Sequence, residues 1–346
     1  MLASASPCLC GEPVSEEAGS EPPLSVSADR AVSQRAGRDE RGRELTRARF
    51  SGKVEAVRGD VKLTCRELEV LFAREGRDPG AEKAGAQGRP LEARATGGVV
   101  VSTPGSRAVA EEAVYDVYGE RITLSGKARP VLYYGPDAVA AESFVLHRST
   151  RIAEARGRTS AVIEARRPAA EAADAGGLAP SAGKKTRIDA TDGAVYDEGR
   201  RELFLKGGVV VQQEGFRLRC DRLWARFGAK ESKPKRDNAN EEPAGAPGKP
   251  TERPPADPAA KLQAGELERL VASGGVRLDT ETRTMESELA EYDAAKRTAV
   301  LAGETSQPEV REGGNRLTAP QIVYHLDEDR LESRGGPFKV VIEAKR

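Results

Sequence analysis

Three stretches far apart in the chain are variants of one unit. Ala113–Gly126 reads AVYDVYGERITLSG, Ala194–Gly207 reads AVYDEGRRELFLKG, and Ala290–Gly303 reads AEYDAAKRTAVLAG. In each, Ala is followed two residues on by Tyr and then Asp, with Leu nine and Gly eleven residues after the Tyr. A unit repeated in phase is the mark of an architecture built by stacking, in which no single copy buries its apolar face alone.

The unit is part of a wider pattern: apolar, any, small, any, any, apolar, any, apolar. It fits Leu63, Cys65, Leu68 and Val70, then Ala108, Ala110, Ala113 and Tyr115, then Val139, Ala141, Phe144 and Leu146. It returns at Leu218, Cys220, Leu223 and Ala225, at Met285, Ser287, Ala290 and Tyr292, and at Leu317, Ala319, Ile322 and Tyr324. Val26, Ala28, Ala31 and Ser33 form a first copy with a polar last member. Uninterrupted units start 31 or 32 residues apart (Ala108 to Val139, Met285 to Leu317). A Gly-Gly-Val stands before two of them, and Gly98 to Tyr115 and Gly275 to Tyr292 are both 17 residues. Residues 50–157 and 204–335 therefore read as two copies of one larger module.

Within the units the apolar period is two, as in VVVSTPG, RITLSG and ELFLKG, with Gly and Pro at the boundaries. That is the pattern of half-buried strands. Helical spacing is sustained nowhere. The step between the small and the second apolar position breaks strict alternation, which would turn the second pair to the other face. A bulge or bend at Arg66-Glu67, Glu111-Glu112 and Asp221-Arg222 restores one common face. The fold expected is all-β: an elongated array of stacked hairpins or bent strands.

Residues 1–22 read as a disordered tail. The first module then covers 23–165 with a flexible insertion at 74–90, a linker covers 166–185, and the second module covers 186–346 with a Pro-rich insertion at 228–261. The insertions hold too little apolar surface to offset the entropy of ordering them.

Little here points to chemistry. Acidic and basic residues balance at 55 each, and basic residues are not interleaved with aromatics, so no nucleic-acid surface is read. No metal, cofactor or nucleophile motif is present, and the expectation is a non-enzyme without cofactor. His147 and His325 follow the last apolar position of their units and are expected on the exposed outer face. Asp116, Asp197 and Asp293 follow a Tyr at the start of a turn, where Asp caps the backbone. Of the four cysteines, Cys8 and Cys10 fall in the tail, and Cys65 and Cys220 occupy matching repeat positions as small buried hydrophobes. No apolar run approaches the ~18–20 residues of a membrane span.

The runs GKVEAVRGDVKLTCRELEVLF, GGVVV with AEEAVYDVYGERITLSGKARPVL, and GGVVVQQEGFRLRCDRLWARF resemble the LptA/OstA family of lipopolysaccharide-transport proteins. The resemblance covers about 23–165 and 186–343, without the insertions, so the OstA-like domain is duplicated. It implies a β-jellyroll, a folded sheet whose apolar inner face holds the acyl chains of lipid A. It also implies stacking through edge strands with LptC-like and LptD-like proteins, or head to tail with further copies, in a bridge between the inner and outer membranes.

On that resemblance the inner-face residues expected to touch acyl chains are Leu63, Cys65, Leu68, Val70, Ala108, Ala110, Ala113, Tyr115, Leu218, Cys220, Leu223, Met285, Ala290 and Tyr292. Metal sites are expected to be absent. The implied location is the periplasm. The first residues show neither a basic n-region nor an apolar core, so either the protein is cytoplasmic or the reading frame begins too late, and the periplasmic expectation goes with the second. Two alternatives stand beside this reading: a structural β-solenoid with a solid interior, and an LptC-like component attached to the inner membrane.

Overall fold

The computed structural model describes residues 25–74, 89–164, 185–228 and 267–342. The tail, with Cys8 and Cys10, lies outside the described residues, as do 343–346 and 75–88, 165–184 and 229–266, the last three taking in most of the two insertions and the linker. Among the described residues there is no helix, and every element is a strand.

The first half contains β1 (Ser25–Ser27), β2 (Arg30–Arg38), β3 (Glu44–Arg58), β4 (Val61–Arg74), β5 (Arg89–Ser102), β6 (Arg107–Asp116), β7 (Arg121–Ser125), β8 (Val131–Tyr134), β9 (Asp137–Ala140), β10 (Ser143–His147), β11 (Ile152–Arg156) and β12 (Thr159–Glu164). The second contains β13 (Lys185–Ala190), β14 (Gly193–Asp197), β15 (Glu202–Gln213), β16 (Phe216–Phe227), β17 (Leu267–Thr280), β18 (Arg283–Asp293), β19 (Thr298–Ala302), β20 (Glu309–Glu312), β21 (Asn315–Thr318), β22 (Gln321–His325), β23 (Arg330–Arg334) and β24 (Lys339–Val341). All pairings are antiparallel and join one sheet.

The sheet is folded lengthwise along a crease into two facing walls. The long strands β3 to β6 and β15 to β18 each cross the crease and contribute to both walls. Elsewhere the chain builds a hairpin on one wall, crosses at the crease, and builds the next on the other. Side chains point alternately to the two faces of a strand, so the inner face shows as columns of cross-strand neighbours. One column on the first wall runs Val26, Ala56, Leu63, Val101, Ala108, Leu132, Val139, Ala161, Ile188, Val211, Leu218, Leu278, Met285, Val310, Leu317 and Val340. Its counterpart on the second wall runs Ala31, Phe50, Leu68, Ala95, Ala113, Leu124, Phe144, Ala155, Ala194, Leu205, Leu223, Ala272, Ala290, Leu301, Ile322 and Ser333. At about 4.8 Å per strand each column is roughly 70 Å long.

Both columns pass without a break between the halves. On the first wall Ala161 of β12 pairs with Ile188 of β13, and on the second Ala155 of β11 pairs with Ala194 of β14. Two buried clusters fill the fold, one in each half, and Ala194 packs against both.

The bends fall where the broken alternation placed them. The extra residue, however, sits on the neighbouring strand rather than at Arg66-Glu67, Glu111-Glu112 or Asp221-Arg222. Gly97 and Gly98 of β5 lie opposite Glu111, Gly207 and Gly208 of β15 opposite Asp221, and Gly274 and Gly275 of β17 opposite Glu288. Each of these glycines has a positive φ, between 49° and 82°. Glycine alone adopts that conformation without steric cost, which decides which strand of a pair carries the bulge.

Candidate functional site: the apolar inner face

The inner face is set by the ladder register. Leu63, Ala108, Leu218 and Met285 occupy the first-wall column, with Cys65, Ala110 and Cys220 one step nearer the crease. Leu68, Ala113, Leu223 and Ala290 occupy the second-wall column, with Val70, Tyr115 and Tyr292 one step nearer the lip. All the expected inner-face residues thus lie on that face. Leu63, Ala108, Tyr115 and Ala290 are half-buried, and the others are buried.

In the two columns Leu124, Met285, Leu301 and Ile322 are at most 2 % exposed. Other inner-face positions are partly open. Val101, Val139 and Ile188 in the first-wall column are half-buried, as are Ile122, Leu146, Leu203 and Leu270 one step nearer the lip of the second wall. The interior is therefore packed at some strands and partly open at others. Cys65 and Cys220 are free and buried. Burial pushes the Cys220 thiol up to about 12 and moves Cys65 in the same direction, so neither presents a reactive thiolate.

The lips are shaped by turns with a common chemistry. The Asp116 carboxylate accepts from the Gly119 amide at 3.0 Å, Asp197 from Arg200 at 2.9 Å, and Asp293 from Lys296 at 3.1 Å. Each turn ends on a non-glycine residue of positive φ: Glu120, Arg201 and Arg297. Above them the tyrosines divide. Tyr292 and Tyr324 are buried, whereas Tyr115 and Tyr196 are half-buried. The Tyr115 hydroxyl accepts from Arg148 Nη1 at 3.1 Å.

The crease carries a pair of glutamates, of which the sequence reading took Glu111 only for a bend position and did not single out Glu288. Glu111 accepts from the amides of Lys127 at 2.7 Å and Ala128 at 3.0 Å. Glu288 accepts from Glu304 at 2.8 Å, from Thr305 at 3.2 Å, from Ser306 at 2.7 Å, and from the Thr305 hydroxyl. These bonds hold the Glu288 carboxyl down to about 2, the Thr305 hydroxyl contributing most. Each glutamate anchors the loop that carries the chain from second wall to first. The repeat offset was the available signal, because 288 − 111 and 275 − 98 are both 177.

His147 and His325 are not exposed, as alternation alone had suggested. Each is half-buried against a glutamate on the next strand, with His147 Nε2 3.3 Å from Glu154 and His325 Nε2 3.1 Å from Glu332. A diagonal neighbour on an antiparallel strand is close enough to cover a ring of that size. Among the described residues no group of His, Cys, Asp and Glu is arranged to hold a metal ion, and no helix is long and apolar enough to cross a membrane.

Residues 33–151 and 187–330 match the family described as LptA/(LptD N-terminal domain) LPS transport protein. The chain belongs to that family. The two matched segments fall on the two halves of the sheet. Among solved structures, the chain is similar to LptH from Pseudomonas aeruginosa, described as the LptA homologous periplasmic component of the conserved lipopolysaccharide transport device. The identity is 14 %, with 46 % of this chain and 95 % of that chain covered at a TM-score of 0.33. No curated protein matches the sequence.

Proposed function

We propose that the protein is a non-enzymatic carrier of lipopolysaccharide in the periplasm. The lipid A acyl chains would lie against the apolar inner face while the molecule forms part of a bridge between the two membranes. One observation carries the reading: the inner columns are apolar nearly throughout and cross the junction between the halves unbroken. On this reading residues 23–165 and 186–346 are two modules with one shared groove.

An apolar groove needs little else. Each buried methylene of an acyl chain contributes about 0.8 kcal/mol. The half-buried positions Leu63, Ala108, Tyr115 and Ala290 supply partly open apolar surface, and the buried residues around them supply a floor that widens if the walls part. The ends support assembly. Among the described residues β1 and β2 pair only with β3, β23 only with β22, and β24 only with β21. The edge at β24 also exposes Phe338, Val340, Val341 and Ile342. Unpaired edges invite strand addition, from LptC-like and LptD-like partners or from a further copy head to tail.

The near-zero exposure of Leu301 and Ile322 favours a second reading, a packed solenoid that binds nothing. Photo-crosslinking to lipopolysaccharide separates the two. Probes are placed at Ala113 and Ala290 on the inner face and at Val114 and Glu291 beside them. Adducts at the first pair alone support the carrier. Folded protein without adducts at any of the four establishes the solenoid.

A further inference from the structure

The two halves differ at the lips. In the second half Arg283 stands at the free end of β18, on the inner face of the first wall, with its side chain only 10 % exposed. It reaches across to the β22–β23 turn of the second wall. There it donates to both oxygens of Asp329, through Nη1 and through Nη2, the latter at 3.2 Å. It also donates to Glu312 of its own wall at 3.0 and 3.2 Å. Its guanidinium lies 5.5 Å from the centre of the Tyr324 ring, and the Tyr324 hydroxyl donates to Asp329 at 2.7 Å. The cluster ties lip to lip.

The first half lacks it. The repeat offset of 177 places Ser106 at the position of Arg283. After the loop before Pro308, one residue longer than the loop before Pro130, the offset is 178 and places Arg151 at the position of Asp329, and Arg151 and Asp329 both have a positive φ. Ser106 is bonded instead to Thr103, Oγ to Oγ at 2.8 Å. A serine does not span the mouth, and the turn opposite is basic rather than acidic.

We propose that Arg283 is a clasp that closes the mouth of the second half and leaves that of the first half open. Resting on the carrier reading above, this makes one groove with two kinds of segment. An amphiphile with acyl chains and a polar headgroup slips in sideways between the lips of the first half. In the second half it moves lengthwise unless the clasp is released. The carboxylates of Asp329 and Glu312 remain 67 % and 48 % exposed. Ion pairs open to water are held weakly, as a device that opens in use requires.

The test measures the width of each mouth by pulsed electron spin resonance. Nitroxides are attached at Glu281→Cys with Glu328→Cys in the second half, and at Gly105→Cys with Ser149→Cys in the first. The full chain carries Cys8→Ser and Cys10→Ser, while the buried Cys65 and Cys220 are left in place. The clasp predicts a narrow distance distribution in the second half that broadens and lengthens in Arg283→Gln and again in Asp329→Asn. The first half is broad from the start and unmoved by either change. A second-half distribution that neither variant alters overturns the clasp. Photo-crosslinking to lipopolysaccharide micelles is then compared between wild type and Arg283→Gln. A several-fold rise in adduct at Ala290 with no change at Ala113 supports sideways loading. An unchanged ratio between the two sites overturns that route. Altered distances with no adduct at either site refute the carrier reading and leave the clasp standing.

Discussion

The Asp221 carboxylate lies where a side chain on Gly274 would begin. A Cβ built on Gly274 meets Asp221 Oδ2 at 2.5 Å and its Cβ at 2.7 Å, and Gly274 has a φ of +80°. Next to it, Gly275 has a φ of +56° with nothing within 4 Å. Both substitutions to alanine place a side chain in the left-handed region, at about 1–2 kcal/mol. Gly274→Ala adds the collision with Asp221 and is expected to cost clearly more than Gly275→Ala. Urea unfolding of the two variants measures the difference, and equal midpoints would show that the crease has room to give.

The inner columns should be sensitive in proportion to burial. Leu301 and Ile322 face each other across β19 and β22 at 2 % and 0 % exposure. Leu301→Ala is expected to lose about 2–5 kcal/mol. Val340→Ala, on the same inner face but 49 % exposed at the sheet edge, should stay within about 0.5 kcal/mol. Comparable losses at the two sites would mean that the far edge is covered in solution.

Glu288 predicts an acid dependence. Its carboxyl falls from an ordinary 4.5 to about 2 on folding, because hydroxyl and amide donors from Thr305, Glu304 and Ser306 favour the charged form. A depressed acid stabilises the fold fully above the unfolded value and loses that contribution as the pH falls through the folded one. Stability should therefore decline between about pH 4.5 and 2, and the Glu288→Gln variant should show a shallower decline over that window in thermal melts. A variant curve parallel to wild type would assign the acid sensitivity to other carboxylates.

The Cys220 thiol, pushed up to about 12 by burial, should resist disulfide reagents at neutral pH until the protein opens. Labelling of a chain carrying Cys8→Ser and Cys10→Ser should track unfolding as urea is raised, and added reductant should leave the melting temperature unchanged. Rapid labelling under native conditions would place the thiol at an accessible part of the groove.

Much of the inner face could be read from the chain because strand side chains alternate strictly. Leu68, Ala113 and Leu223 fell on the correct face once the break in alternation was treated as a bend. His147 and His325 could be misread for the same reason. Alternation specifies a face, but cover comes from a neighbouring strand whose register the sequence does not display. Glu111 and Glu288 were visible only as equivalent positions, since a carboxylate acquires a role when a loop folds over it.

The sequence by itself determined the strand, the turn and the inward-facing side chain: period two, Asp-marked turns and glycines with positive φ are local properties of a chain and its sterics. Only the tertiary structure decided that β11 joins β14 and β12 joins β13, so that two repeats share one sheet. Pairing across a long insertion depends on which edges are left unsatisfied after each half folds. It likewise decided that Arg283 meets Asp329, because that contact exists only when two walls are folded face to face.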